Sequence, residues 1–313
     1  MASIASEERR GGVLAGQRRL LGAYFAPQRG RITLLAALIA IDIALRLANP
    51  QIVRRFIDAA EAGGPLSALT FAGIAYLLIG LAARIASLAA TYASVLGART
   101  VLRERSHIGG VYRIPDMEVL WGDGTETVHL ENGILYKLDA ARLMFSSGNI
   151  DEKLRMAALD CRGEIVVDMF AGIGYFTLPL ALHARASKVI SCEINPLAFH
   201  YLCENVQLNG LESVVEPVLG DNRDLPGKGI ADRVVMGYVR TTAQHLCTAF
   251  RLVRKGGTIH YQDTFPLEVF PEMAWENLAS AADGRSYEVR LMKEVKSYSP
   301  GVSHMVLDVA VLD

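Results

Sequence analysis

Of the chain's 313 residues only four are cysteines, and none sits in a C-x-x-C pair. Cys161, Cys192, Cys203 and Cys247 are scattered over the second half. That spacing excludes a disulfide scaffold and a clustered zinc site, and reads as ordinary thiols in a reducing compartment, with no metal. Lysine is absent before Lys137, so the first third carries its positive charge on arginine alone. No G-x-x-x-x-G-K-[ST] occurs, which removes the phosphate cradle of an ATPase. Glycine and proline together number 39 without a repeat period, so the chain is neither collagen-like nor low-complexity. Net charge is nearly absent as well, at −1.

That small net charge conceals two unlike stretches. Residues 1–105 hold 13 Arg and six acids; the remainder holds 19 basic and 27 acidic residues. Hydrophobic runs at 32–53 and 66–97 are long enough for membrane helices, which need about 20 apolar residues. Asp42 and Arg46 lie four apart in the first run and can pair on one helix face. Arginines at 9, 10, 18, 19, 29 and 31 precede the runs and Arg99, Arg103 and Arg105 follow them. The positive-inside rule then places both flanks in the cytoplasm. The alternative is a buried soluble helical hairpin.

From about residue 105 the rhythm changes to short alternating segments such as MEVLW and TETVHL, divided by Gly122, Gly124, Asn132 and Gly133. These predict a small β-rich module over 107–145. From residue 163, strands at 164–170, 188–193, 214–219, 232–238 and 257–263 alternate with helices at 174–184, 196–208, 241–252 and 268–281. Two strands, 287–295 and 303–311, close the pattern. This predicts an α/β fold, a parallel sheet with an antiparallel edge hairpin.

The first strand ends in Asp168-Met169-Phe170-Ala171-Gly172-Ile173-Gly174. Gly172 and Gly174 permit φ > 0 and close approach of backbone to a ligand. Glu193 ends the second strand, 25 residues after Asp168, where an acid accepts ribose hydroxyl hydrogens. Asp221 and Asn222 end the third and could hold an adenine edge. Three polar strand tips in succession point to a nucleotide-derived cofactor. With 27 acids against 19 basic residues after position 105, any nucleic-acid surface would have to be a local basic patch, with Arg113, Lys137, Arg142, Arg240, Arg251, Arg254 and Lys255 as candidates.

Two resemblances extend this reading. Tyr24-Phe25-Ala26-Pro27-Gln28-Arg29-Gly30-Arg31 and Asn49-Pro50-Gln51-Ile52-Val53-Arg54-Arg55-Phe56-Ile57-Asp58 resemble the start of type I ABC exporters over about 18–103. With only two of six helices, residues 1–104 read as an exporter-like membrane fragment fused upstream of an enzyme, tethering a cytoplasmic catalytic domain. The Asp-x-Phe-Ala-Gly-x-Gly run resembles motif I of class I S-adenosylmethionine enzymes, whose seven-stranded sheet also ends in an antiparallel hairpin. Phe145-Ser146-Ser147-Gly148-Asn149-Ile150-Asp151-Glu152-Lys153, Glu131-Asn132-Gly133, Gly220-Asp221-Asn222-Arg223 and Ala231-Asp232-Arg233-Val234-Val235-Met236-Gly237-Tyr238 resemble the tRNA wybutosine-synthesising and tRNA guanine-N1-methyltransferase family over 107–313. The resemblance implies a SAM-binding catalytic domain at 146–313. It implies transfer of the 3-amino-3-carboxypropyl group of S-adenosylmethionine to 4-demethylwyosine beside the anticodon of tRNA-Phe. It also implies cofactor contacts at Ser146, Lys153, Glu193, Asp221 and Asn222, beside Asp168, Gly172 and Gly174 from the strand tips. Asn149, Arg155, Tyr238 and His260 are substrate-side candidates, His260-Tyr261 being placed at the rim where strand five ends. No catalytic base is named. Gly148 and Gly237-Tyr238-Val239 replace the Arg and the Asn-Leu-Pro of the methylating relatives, which favours propyl over methyl transfer. The alternatives are a tRNA guanine-N1 methyltransferase and an inactive membrane-tethered interaction protein.

Overall fold

The computed structural model describes residues 54, 57, 58, 74, 96–145 and 149–313. Almost all of both hydrophobic runs, 32–53 and 66–97, and the positions of Ser146 and Gly148 lie outside the described residues. Among the described residues no helix is long and apolar enough to cross a membrane. Two compact units are present, 1–103 with 118–124 and 104–117 with 125–313.

Four strands come first: β1 (Thr100–Gly109), β2 (Ile114–Gly122), β3 (Glu126–Glu131) and β4 (Ile134–Asp139). They form two separate two-stranded sheets, β1–β2 and β3–β4. β1 opens at Thr100, inside the residues assigned to the exporter-like piece. Thr100 and Val101 are β-branched, and neighbouring hydrophobic residues upstream hide that local preference. The β3–β4 turn is Asn132-Gly133, both with positive φ (50° and 75°), as a two-residue hairpin turn requires. β4 buries Ile134, Tyr136 and Leu138. Its outer edge is closed by α3 (Pro196–Leu208) and the residue just beyond it. Asn205 Oδ1 accepts from Lys137 N at 2.6 Å, and Asn209 Oδ1 accepts from Leu135 N at 2.9 Å. Both amides donate back to the carbonyls of the same two residues. Side chains thus satisfy a strand edge that would otherwise invite pairing.

The main sheet has seven strands in the order β10-β11-β9-β8-β5-β6-β7. β5 (Ile165–Asp168), β6 (Lys188–Glu193), β7 (Val215–Leu219), β8 (Ala231–Met236) and β9 (Val253–Pro266) run parallel. β10 (Tyr287–Ser299) and β11 (Val302–Val311) close it as an antiparallel hairpin. Helices α1 (Ile150–Ala157), α2 (Thr177–Leu182) and α3 contribute to one apolar cluster, with Met156, Leu178 and Leu202 fully buried. α4 (Leu246–Leu252) and α5 (Glu272–Ala281) contribute to a second, around Phe250, Ile259 and Leu278. Each such side chain contributes roughly 1.5–3 kcal/mol on burial. β6, β7, β8 and β11 fall within two residues of their predicted positions. β9 is longer at both ends and reaches Pro266, because β11 pairs with it without interruption from Thr258 to that residue.

A polar chain, buried at Glu152 and His260 and half-buried elsewhere, runs between α1 and the sheet. Arg155 bonds both Glu152 oxygens at 2.7 and 2.8 Å and both Asp308 oxygens at 2.7 and 3.1 Å. Asp308 Oδ1 lies 2.5 Å from His260 Nδ1, and Arg233 donates to His260 Nε2 at 2.9 Å. Arg233 then holds both oxygens of Glu164 at 2.8 and 2.9 Å. Since an arginine only donates, Nε2 accepts and the imidazole proton sits on Nδ1. Burial, the largest cause, lowers the His260 pKa and favours this neutral form. Burial alone would raise Asp308, but its bonds to His260 and Arg155 prevail and hold it at about 2.

Candidate active site

A cavity of about 260 Å³ opens at the carboxyl edge of β5, β6, β7 and β8. Its floor is the turn after β5. Gly172 and Gly174 there have φ of +58° and +105°, and a Cβ on Gly172 would lie 2.7 Å from the Tyr175 ring. Tyr175 in turn bonds the carbonyl of Met144, which carries the cavity wall toward the segment before α1. Below this turn lies Asp168, fully buried. Its carboxylate accepts from Thr177 Oγ1 at 2.8 Å and from Phe170 N at 3.2 Å. Burial is the main cause that raises its pKa to about 6. Asp168 shapes the turn and does not line the cavity.

Glu193, at the tip of β6, does line it. One oxygen accepts from Gly172 N and the other from Asn195 N, each at 2.7 Å. Two backbone amides therefore fix the carboxylate, while a carboxylate has about four acceptor positions. Two remain for a diol. Burial raises the Glu193 pKa, against its bonds to the Asn195 and Gly172 amides, which lower it. Asn195 also caps α3, accepting from Leu197 N at 2.9 Å with Pro196 in the first turn. Its Nδ2 donates to the carbonyl of Tyr112 at 3.0 Å, which ties the β1–β2 turn to the cavity.

Asp221 and Asn222 follow β7. Asp221 is gripped by Arg223 through Nε and Nη2, and this bond holds its pKa at about 2. Asn222 is 5% exposed; its Nδ2 donates to Met169 O at 3.1 Å and its Oδ1 lies 2.8 Å from His245 Nδ1. Its side chain is committed to the fold. On the opposite wall Tyr238 lies nearly parallel to Phe170, centroids 5.0 Å apart at 18°, with Arg113 5.2 Å from its centroid. Val239 and Arg240, which follow, both have positive φ (61° and 77°).

Residues 127–290 match the family described as TRM5/TYW2 methyltransferase domain. The chain belongs to that family. A Pyrococcus horikoshii protein named tRNA(Phe) (4-demethylwyosine(37)-C(7)) aminocarboxypropyltransferase is 46% identical over 226 residues, covering 72% of this chain and 81% of that one. The crystal structure of P. horikoshii TYW2 in complex with MeSAdo superposes with a TM-score of 0.65 at 43% identity, over 72% of this chain and 81% of that chain. The M. jannaschii TYW2 structure in complex with AdoMet gives 0.59 at 45% identity, over 63% and 90%.

Within this TRM5/TYW2 domain, Gly172, Glu193, Asp221, Asn222 and Tyr238 are brought together around one cavity, as their strand-tip spacing predicts. Other expected residues lie elsewhere. Lys153 is 4% exposed, paired with Glu131 and 5.0 Å from the Phe145 centroid, away from the cavity lining. Asn149 precedes α1, its buried Oδ1 without a partner among the described residues. Arg155 belongs to the polar chain between α1 and the sheet. His260 is not at the rim: it is 1% exposed and mid-strand, because β9 continues six residues beyond it to Pro266. Ser146 lies outside the described residues. Sequence reasoning missed Asn195, although Asn195-Pro196 is a legible helix start. It also missed His245 and Tyr175, whose roles depend on contacts between distant segments.

Proposed function

We propose that this chain transfers the 3-amino-3-carboxypropyl group of S-adenosylmethionine to the 4-demethylwyosine base beside the anticodon of tRNA-Phe. The observation that carries it is the pairing of the Glu193-centred cavity with identity above 40% to proteins that bear that name or that cofactor. The donor set fits the cofactor. Glu193 has two acceptor positions left for the ribose hydroxyls. Asp221 can take the adenine amine once Arg223 swings out. Asn222 can contribute only its backbone, its side chain being engaged by Met169 and His245.

When bound, S-adenosylmethionine supplies a three-carbon electrophile on a cationic sulfur and departs as methylthioadenosine. The chain's own part is placement. Glu193, pinned by two amides, fixes the nucleoside end. Tyr238 and Phe170 offer a flat wall for the acceptor base. Gly237 leaves room for the buried Phe176 ring beside that wall; a Cβ there would lie 2.6 Å from it. Orientation of this kind decides which of the three sulfonium carbons faces the acceptor. The departures at Gly148 and Gly237-Tyr238-Val239 support propyl transfer over methyl transfer. Lys153, Asn149 and Ser146 stay candidates for the amino-acid end, through the segment that joins Met144 to α1. Separately, the composition of residues 32–97 supports a membrane tether, which carbonate-resistant sedimentation of the full chain tests.

Mass spectrometry of tRNA-Phe nucleosides after incubation with the full chain and S-adenosylmethionine tests the main reading. A base heavier by one aminocarboxypropyl group is expected. A gain of one methyl group would move the chain to the methylating branch of the family.

A further inference from the structure

We infer that Arg113, over the Tyr238 ring, and Arg240, two residues after Tyr238, hold the phosphate backbone of the RNA acceptor; the inference rests on the reading above. From residue 106 onward the chain carries 27 acids against 19 basic residues, so an RNA surface there must be local. Three of the other five basic candidates are already engaged. Lys137 pairs with Glu204 at 3.1 Å and Arg254 with Asp232. Arg251 donates to the carbonyls of Gly227 and Arg223.

Arg113 and Arg240 differ from these. Among the described residues neither guanidinium meets a carboxylate, while the backbone N–H of Arg240 is held by Asp263. Each lies over a tyrosine ring instead, Arg113 5.2 Å from the Tyr238 centroid and Arg240 5.0 Å from that of Tyr298. A guanidinium stacked on a ring keeps its N–H fork directed along its own plane, ready for two oxygens of one phosphate. Arg113 lines the cavity and Arg240 is exposed just beyond its wall.

The backbone supports the same assignment. Arg113 (φ 53°), Val239 (φ 61°) and Arg240 (φ 77°) are all non-glycine residues in the left-handed region. For β-branched Val239 this is the most costly, and such conformations persist where the surrounding structure imposes them, often at ligand clamps. Here the strained pair turns the chain directly after Tyr238. The tyrosine stays on the cavity wall and the next arginine is carried outside it. A base that takes the place of Arg113 on the Tyr238 ring would leave that guanidinium at its edge, with Arg240 two residues along the chain, so that both can meet flanking phosphates.

The test is equilibrium binding of tRNA-Phe to the full chain from 50 to 300 mM salt, with Arg113→Gln, Arg240→Gln and the double variant. Arg290→Gln, at an exposed arginine of β10 that pairs with Glu288 and lies outside the basic candidates, is the control. Calorimetric titration of S-adenosylmethionine accompanies each protein. Each single variant is expected to bind tRNA about 5–10-fold more weakly at low salt, with a salt slope lower by about 0.7–0.9 per arginine. Cofactor affinity and the control should not change. Wild-type tRNA affinity and slope in the double variant would overturn this inference and leave the proposed function standing. Cofactor affinity falling together with tRNA affinity would also overturn it, by showing a structural role. Absence of tRNA binding by the unaltered chain would overturn both.

Discussion

The two walls of the cavity are built by opposite means. On the side proposed for the cofactor, at the tips of β5, β6 and β7, each acid is tied down. Glu193 is held by two backbone amides, Asp168 by Thr177 and an amide, and Asp221 by Arg223. On the acceptor side, after β8, Gly237–Arg240 presents no acid: a ring, two left-handed residues and an arginine stand there instead. The cofactor wall is fixed by main chain and therefore follows from the fold. The acceptor wall depends on a few side chains on a strained loop, where reaction choice can change without disturbing the sheet.

Breaking the polar chain of α1 and the sheet, which lines neither wall, should have the largest effect. Asp308→Ala leaves Arg155 and the buried His260 beside each other without their common anion, and should destabilise the fold by about 3–5 kcal/mol. Urea denaturation measures it; a change under 1 kcal/mol would show the chain of ion pairs to be ornamental. Asp168 comes next. Its folded pKa, about 6, is above its ordinary value, so the folded state binds more protons between about pH 4 and 6. Stability from this group is full below that window and is lost as pH rises through it, by about 2–3 kcal/mol. Asp168→Asn should flatten that part of the stability–pH curve; an unchanged slope would assign it to other groups.

The remaining two predictions act on the cofactor wall alone. Glu193→Ala removes two acceptor positions for the ribose and frees two amides, and should weaken S-adenosylmethionine binding by about 1–3 kcal/mol in calorimetry. Wild-type affinity would remove the ribose assignment. Arg223→Ala should change affinity least and in the favourable direction, since Asp221 must release Arg223 to receive a ligand. The exposed pair is worth about 0–1 kcal/mol, so tightening of a few-fold is expected. Weaker binding would mean that Arg223 itself touches the cofactor.

The cofactor wall was the more legible in sequence for the same reason that it is rigid. An acid closing an apolar strand, followed by glycines, is a local pattern, and Gly172, Glu193 and Asp221 all reach the cavity from it. Arg155 and His260 were misplaced because their partner, Asp308, lies 153 and 48 residues away, and no spacing rule reaches so far. His260 also seemed to end a strand because its continuation to Pro266 is set by pairing with β11, not by its own composition. Lys153, which the resemblance puts at the cofactor, is paired with Glu131 of β3, a contact that no local pattern announces. The acceptor wall was legible only as a departure from relatives: nothing local announces that Val239 and Arg240 adopt left-handed backbone.

Reaction choice is the central claim, and the spent cofactor reports it directly. The full chain is incubated with S-adenosylmethionine and tRNA-Phe carrying 4-demethylwyosine, and the nucleoside products are separated by chromatography. The account predicts methylthioadenosine, in step with a base that has gained the aminocarboxypropyl group. S-adenosylhomocysteine, in step with a methylated guanine, would contradict it.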